Sequence, residues 1–162
     1  MKIVVISDTH MTDKAGNLPT KLLEEIKTAD MVIHAGDFIS IELFEKIKSL
    51  CANVRAVCGN MDTPEIRQAL PQKEIFKAGR YKIGVMHGYG SPAKLVEAIS
   101  AEFKGEKPDI IIFGHSHSAL NEKIGDTLFF NPGSPTDKMF ATSNTYGIIE
   151  INAKIEAKII EV

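Results

Sequence analysis

The stretch KIVVISDTH, residues 2–10, runs from unbroken apolar chain into a polar tail. Its β-branched core, residues 2–7, predicts a strand buried on both faces. MVIHAGD, residues 31–37, repeats the plan: a strand over 31–35, then Gly36-Asp37. Between the two, Leu18, Leu22, Leu23 and Ile26 recur at helical spacing, with Pro19 tolerated in the first turn. Leu43, Phe44, Ile47 and Leu50 mark a second helix with Ser40 as N-cap, and residues 53–57 a third strand. A βαβαβ order of this kind implies parallel strands joined by right-handed crossovers.

The second half is different. Residues 74–78 and 81–86 flank Gly79-Arg80, a hairpin signal, and Ser91-Pro92 opens a helix whose apolar face is Leu95, Val96, Ile99 and Phe103. Only strands follow, over residues 109–113, 119–124, 127–131, 145–151 and 154–162, with turns at Gly125-Asp126 and Asn152-Ala153. Three helices cannot cover both faces of so many strands in one open sheet. The arrangement that buries every apolar run is α/β, with two sheets face to face and helices outside.

At 162 residues, 44% hydrophobic and 25% charged, the chain has the composition of one globular domain spanning residues 1–162. A net charge of −2 weighs against nucleic acid as the partner. The opening MKIVVIS is a strand rather than a secretory signal, and no apolar run approaches a membrane span. Cys51 and Cys58, each beside an apolar residue, read as reduced core residues of a cytoplasmic protein.

The polar residues sit where such a fold binds ligands, beyond the carboxyl ends of its strands. These ends read Ser7-Asp8-Thr9-His10, His34-Ala35-Gly36-Asp37, Gly59-Asn60, His87-Gly88 and Gly114-His115-Ser116-His117. In extended chain, residues i and i+2 share a side, so Asp8 can converge with His10, and His115 with His117. Carboxylates, imidazoles and an amide oxygen together suit Mn²⁺, Fe, Co²⁺, Ni²⁺ or Zn²⁺. They are too many for one tetrahedral ion, so two ions sharing a carboxylate is the economical reading.

The order D-x-H, G-D, G-N, H-G, G-H-x-H over residues 8–117 resembles the calcineurin-like metallophosphoesterases. The short length resembles their compact phosphodiesterase branch, close to the vacuolar sorting protein 29 group. The resemblance implies a four-layer αββα sandwich with a dinuclear site. One ion would take Asp8, His10, Asp37 and His117, and the other Asp37, Asn60, His87 and His115, with Asp37 bridging. Mn²⁺ is the first candidate, ahead of Ni²⁺, Co²⁺, Fe²⁺ and Zn²⁺. Asn60 and His87 count as catalytic as well as ligating, Asn60 through a hydrogen bond to phosphate. His34 matches no ligand position and is expected to support the site from behind, and Asn131-Pro132-Gly133-Ser134 is a turn with no assigned chemistry.

Two close ions lower the pKa of a bridging water, so the expected reaction is hydrolysis of a small phosphodiester by metal-bound hydroxide. The alternatives are a non-catalytic scaffold on the same fold and a nuclease; a homo-oligomer is compatible with either. One departure stands out. Many calcineurin-like phosphatases place a histidine after Gly-Asn, where this chain has Met61-Asp62.

Overall fold

The computed structural model describes residues 1–11 and 18–162. Alternate residues of the first strand, Lys2–Ile6 (β1), enter two different cores. Val4 and Ile6 pack with Leu22 and Ile26 of Thr20–Lys27 (α1) and with Leu43 and Ile47 of Ile41–Leu50 (α2). Ile3 and Val5 turn the other way, onto Ile83 and Val85 of Tyr81–Met86 (β5) and Ile110 and Ile112 of Ile110–Ile112 (β6). That two-sided burial is why the strand carries no polar alternation.

The remaining strands are Met31–His34 (β2), Val54–Ala56 (β3), Lys73–Ala78 (β4), Leu120–Ile124 (β7), Thr127–Asn131 (β8), Thr145–Ile151 (β9) and Ile155–Glu161 (β10). Two five-stranded sheets result, ordered β10-β9-β1-β2-β3 and β4-β5-β6-β8-β7. Both are mixed: β1 pairs parallel with β2 and antiparallel with β9, and β5 parallel with β6 and antiparallel with β4. A second helix layer covers the other sheet, where Leu95 and Ile99 of Leu95–Glu102 (α4), with Phe103, meet Ile111, Phe113 and Phe129. Four layers, αββα, follow from three apolar clusters.

Ser40 caps α2 as its type predicts, accepting the Leu43 N–H at 3.3 Å, a contact worth about 1 kcal/mol. Pro19 stands one residue outside α1, at the N-cap, rather than in its first turn. A fourth helix, Pro64–Ala69 (α3), is present where the periodicity predicts none. It buries only Ile66, so no apolar stripe announces it, although Thr63-Pro64 is a helix start and the Thr63 hydroxyl accepts the Ile66 N–H. No helix among the described residues is long and apolar enough to cross a membrane.

Register brings the polar strand ends together. Ile6 is level with His34, His34 with Ala56, and Val85 with Ile112. The loops beyond are then stitched by Asp8 N–H to Gly36 C=O (3.0 Å), His10 N–H to Asp37 C=O (3.1 Å) and Gly114 N–H to His87 C=O (3.1 Å).

Candidate metal centre

The convergence of Asp8 with His10, and the placing of His115 and His117, do not come from strand alternation. β1 stops at Ile6 and β6 at Ile112, and the polar residues beyond are not extended. Asp8 (φ 53°), His10 (φ 44°), Asp37 (φ 58°), His115 (φ 70°) and His117 (φ 55°) all adopt the left-handed conformation. Each such residue costs of order 1–3 kcal/mol. Together they would consume much of the roughly 5–15 kcal/mol by which a domain is stable, so the surrounding structure must hold them. Among the described non-glycine residues only Ile39 and Lys107 share this conformation. The strain is gathered at one end of the two sheets.

Two groups result. Asp8, His10 and His117 offer ligand atoms within 4.8 Å of one another, as do Asp8, Asp37 and His87. Each carboxylate is held by a backbone N–H and turns one oxygen inward. Asp8 Oδ2 accepts the Ser7 hydroxyl (2.7 Å) and shares the His115 N–H (3.0 Å) with Oδ1 (3.1 Å), and Oδ1 also lies 3.4 Å from His117 Nε2 and 3.8 Å from His87 Nε2. Asp37 Oδ1 accepts the Met61 N–H at 2.7 Å, while Oδ2 lies 3.3 Å from His87 Nε2 and 3.6 Å from His10 Nε2. The imidazoles are oriented in the same manner. His87 Nδ1–H donates to Ala35 C=O at 2.7 Å, His115 Nε2–H to Gly90 C=O at 2.9 Å, and His117 Nδ1–H to Asp137. Each ring then turns its remaining nitrogen to the site.

Asn60 joins the groups: its Oδ1 is 3.1 Å from His87 Nε2 and 3.0 Å from His115 Nδ1. His10 Nε2 is 3.1 Å from His117 Nε2. At that distance a single hydrogen bridges the two nitrogens, and a cation between them would take its place. All seven residues of the expected set therefore meet in one place, His115 on the Asn60 side and His117 on the His10 side.

Burial divides the two carboxylates. Desolvation of the fully buried Asp8 raises its pKa, exceeding the relief from His87, Ser7 and His117. At Asp37 burial is outweighed by the hydrogen bond and charge of His87 and by the Met61 N–H, so its pKa is lowered. Burial would lower His87, but the bond to Asp37 and the charges of Asp8 and Asp37 outweigh it and raise its pKa. Two buried carboxylates against four imidazoles and an amide oxygen are the donor set of a borderline divalent ion.

Close packing leaves no space for side chains beside these groups. A Cβ on Gly59 would overlap the Asp37 carboxylate, and one on Gly114 would overlap Ser7 and approach Asp8 Oδ2 to 2.6 Å.

His34 stands behind the site, fully buried, its ring stacked on Phe38 at 3.4 Å between centroids. Nδ1 accepts the Gly36 N–H, so Nε2–H donates to the Thr9 hydroxyl at 3.2 Å, and that hydroxyl donates to Asp37 C=O. Burial holds its pKa well below the usual imidazole value, so the ring is neutral. His34→Gln should lower folding stability by roughly 1–3 kcal/mol through unpaired buried groups, measurable as a shifted denaturation midpoint. An unchanged midpoint would mean the network carries no weight.

Asp62 is committed elsewhere. Its Oδ2 accepts the N–H groups of Asp37 (3.0 Å) and Gly59 (2.7 Å), and its Oδ1 that of Ile39 (2.8 Å). Two groups to which the sequence reading gives no role also contribute. Asp137 holds His117, with its carboxyl kept below the usual range because the bonds from His117 and the Met139 N–H outweigh burial. Asn131 and Ser134 hold the loops: Asn131 Nδ2 donates to Gly114 C=O and the Ser134 hydroxyl to Asp8 C=O. Asn131 closes a strand as the other site residues do, which was a usable signal; Asp137 follows no strand and offered none.

The model of the calcineurin-like phosphoesterase superfamily domain matches residues 1–154. A probable metallophosphoesterase of Methanocaldococcus jannaschii is 37% identical over 165 residues, covering 100% of this chain and 82% of its own length. Vacuolar protein sorting-associated protein 29 of Schizosaccharomyces pombe is 29% identical, over 84% of this chain and 73% of the relative. Among solved structures, a novel archaeal phosphodiesterase superposes with a TM-score of 0.80 at 27% identity, covering 100% of both chains.

Proposed function

Because the chain belongs to the calcineurin-like phosphoesterase superfamily, we propose that it is a phosphodiesterase that hydrolyses small phosphodiesters at a pair of divalent transition ions. The observation that carries this reading is the convergence of metal-ligating atoms from five strand ends: Asp8 Oδ1, Asp37 Oδ2, Asn60 Oδ1 and the inward nitrogens of His10, His87, His115 and His117. Asp8, His10 and His117 would hold one ion, and Asn60, His87 and His115 the other, with Asp37 shared. Mn²⁺ is the first candidate. Bound there, the ions supply Lewis acidity, activating water and neutralising phosphate charge.

The chain's own groups do the positioning. The Asn60 amide can ligate through Oδ1 while its Nδ2–H₂ donates to a phosphate oxygen. His87, clamped by Ala35, places Nε2 against both carboxylates. The domain is taken as residues 1–162 and its setting as the cytoplasm.

A scaffold reading draws support from the likeness to vacuolar protein sorting-associated protein 29 and from the exposed Met139 and Phe140. Intact donor sets weigh against it, since a scaffold has no use for the left-handed strain they entail. Against a nuclease stands the net charge of −2. The deciding measurement is a matrix of Mn²⁺, Ni²⁺, Co²⁺, Fe²⁺ and Zn²⁺ against phosphomonoesters, linear phosphodiesters and cyclic nucleotides. Mn²⁺-dependent turnover of diesters above monoesters is expected; none with any metal leaves the scaffold. Preference for oligonucleotides, with strong salt dependence, would mark a nuclease.

Asp137 provides a second check. Asp137→Asn weakens the acceptor that fixes His117 Nδ1–H, so ion affinity and activity should fall about 10–100-fold. Isothermal titration with Mn²⁺ reads the affinity directly. Wild-type affinity in Asp137→Ala would show that His117 needs no such support.

A further inference from the structure

Two cavities of unlike character meet at Asn60. One, of about 470 Å³, passes His87 between Arg67, Gln72, Lys73 and Tyr89. The other, of about 660 Å³, opens over His10, His115 and His117, and its far wall is Met61, Pro92, Met139 and Phe140. Each is large enough for one substituent of a small ligand.

The apolar wall is exposed and yet held in place. Met139 is 83% exposed, Phe140 73% and Met61 57%. Large apolar side chains grouped at a cleft mouth mark a binding surface. The Asp137 carboxylate accepts the N–H groups of Met139 (2.8 Å) and Phe140 (3.1 Å) as well as bonding His117. The Phe140 ring meets the His117 ring edge-on at 5.9 Å. The patch is thereby fastened to the imidazole beside it, in the geometry of a substrate wall.

The other cavity is fixed by polar contacts. Arg67 donates to the carbonyl oxygens of Asn60 and Asp62, Tyr89 donates its hydroxyl to Glu102 at 2.9 Å, and Lys73 lies 3.0 Å from Glu106. A hydroxyl-bearing group finds partners there, whereas against Met61 and Phe140 it would lose hydrogen bonds to water without replacement.

Resting on the phosphodiesterase reading, we propose that the substrate is an unsymmetrical phosphodiester. Its phosphate sits at Asn60, a planar apolar arm lies against Met61, Met139 and Phe140, and a hydroxyl-bearing arm of the nucleoside or glycerol kind fills the cavity of Gln72 and Tyr89. Hydrolysis adds the oxygen of water to phosphorus and breaks one ester P–O bond; one water proton stays with the new phosphate hydroxyl or passes to solvent, and the other goes to the departing oxygen, or to solvent where that oxygen leaves as a phenolate.

The test uses three esters that all release p-nitrophenolate: p-nitrophenyl methyl phosphate, p-nitrophenyl phenyl phosphate and thymidine 5′-(p-nitrophenyl phosphate). With the leaving group constant, kcat/KM in saturating Mn²⁺ reads the retained arm. The thymidine ester should exceed the other two by about tenfold, the equivalent of one or two good contacts. Met139→Ser with Phe140→Ser should lower all three about tenfold, chiefly in KM, whereas Gln72→Ala with Tyr89→Phe should erase only the thymidine preference. In EDTA, where metal-dependent turnover stops, saturation-transfer NMR should show the nitrophenyl protons contacting wild type and not the Met139/Phe140 variant. Equal rates for all three esters, unaltered by either pair of substitutions, overturn the proposal and leave the phosphodiesterase standing. That outcome would assign the apolar patch to a protein partner. No hydrolysis of any ester overturns both.

Discussion

Asp37→Ala is expected to lower metal-dependent turnover roughly 10³-fold or more, because ion catalysis is worth several kcal/mol and each 1.4 kcal/mol is tenfold. The expectation rests on one oxygen. Asp37 Oδ2 lies 3.3 Å from His87 Nε2 and 3.6 Å from His10 Nε2, facing both proposed ions, while Oδ1 is occupied by the Met61 N–H. Asp8 Oδ1 also faces both sides, but at 3.8 and 3.9 Å from the same two nitrogens. His10→Ala removes a ligand from one side alone and should cost less. The Asp37→Ala variant should still fold, since the Asp37 N–H keeps its bond to Asp62 and Met61, whose N–H loses its partner, is an exposed residue. Asp37→Asn serves as the isosteric control, retaining an acceptor for Met61 while losing the charge. Elemental analysis after Mn²⁺ reconstitution should find fewer ions in both variants. Two ions and wild-type turnover in Asp37→Ala would refute the bridge.

The second large effect concerns the leaving group. A general acid is worth about 10²–10⁴-fold, and mostly where the departing oxygen is a poor leaving group. Met61 lies on the cleft wall and its thioether has no proton to give. Asp62, the neighbouring candidate, spends both oxygens on the backbone N–H groups of Asp37, Gly59 and Ile39. Its carboxylate shapes the Asn60 loop and is not aimed at substrate. Across aryl phosphodiesters of graded leaving-group pKa, in saturating Mn²⁺, kcat/KM should fall steeply as that pKa rises. Bis(p-nitrophenyl) phosphate should be a good substrate and dialkyl esters poor ones. Met61→His should flatten the series if its imidazole reaches the departing oxygen. A flat series in wild type, with chemistry rate-limiting, would mean that another group supplies the proton.

These two arguments divide between what is local in the chain and what is not. The doubly buried strands, the helix capped by Ser40 and the seven polar residues at strand ends follow from short-range chemistry. Apolar runs must be covered on both faces, and a strand that ends in Asp, Asn or His places a ligand where sheets open. Even α3 left a local mark in Thr63-Pro64, too short to show a period. By itself, then, the sequence determined the αββα layering and which residues meet. It did not determine how they meet. Two-residue periodicity points Asp8 and His10 to one side of a strand; the tertiary structure brings them together through left-handed turns, held by the bonds their N–H groups donate to the Gly36 and Asp37 carbonyls. The part of Asp137 lies 20 residues from the His117 ring it fixes. The meeting of a strongly apolar cavity with a less apolar one at Asn60 likewise joins segments far apart in the chain. Only packing decides such pairings, because a hydrogen bond or a cavity wall depends on distance in space and leaves no period along the sequence.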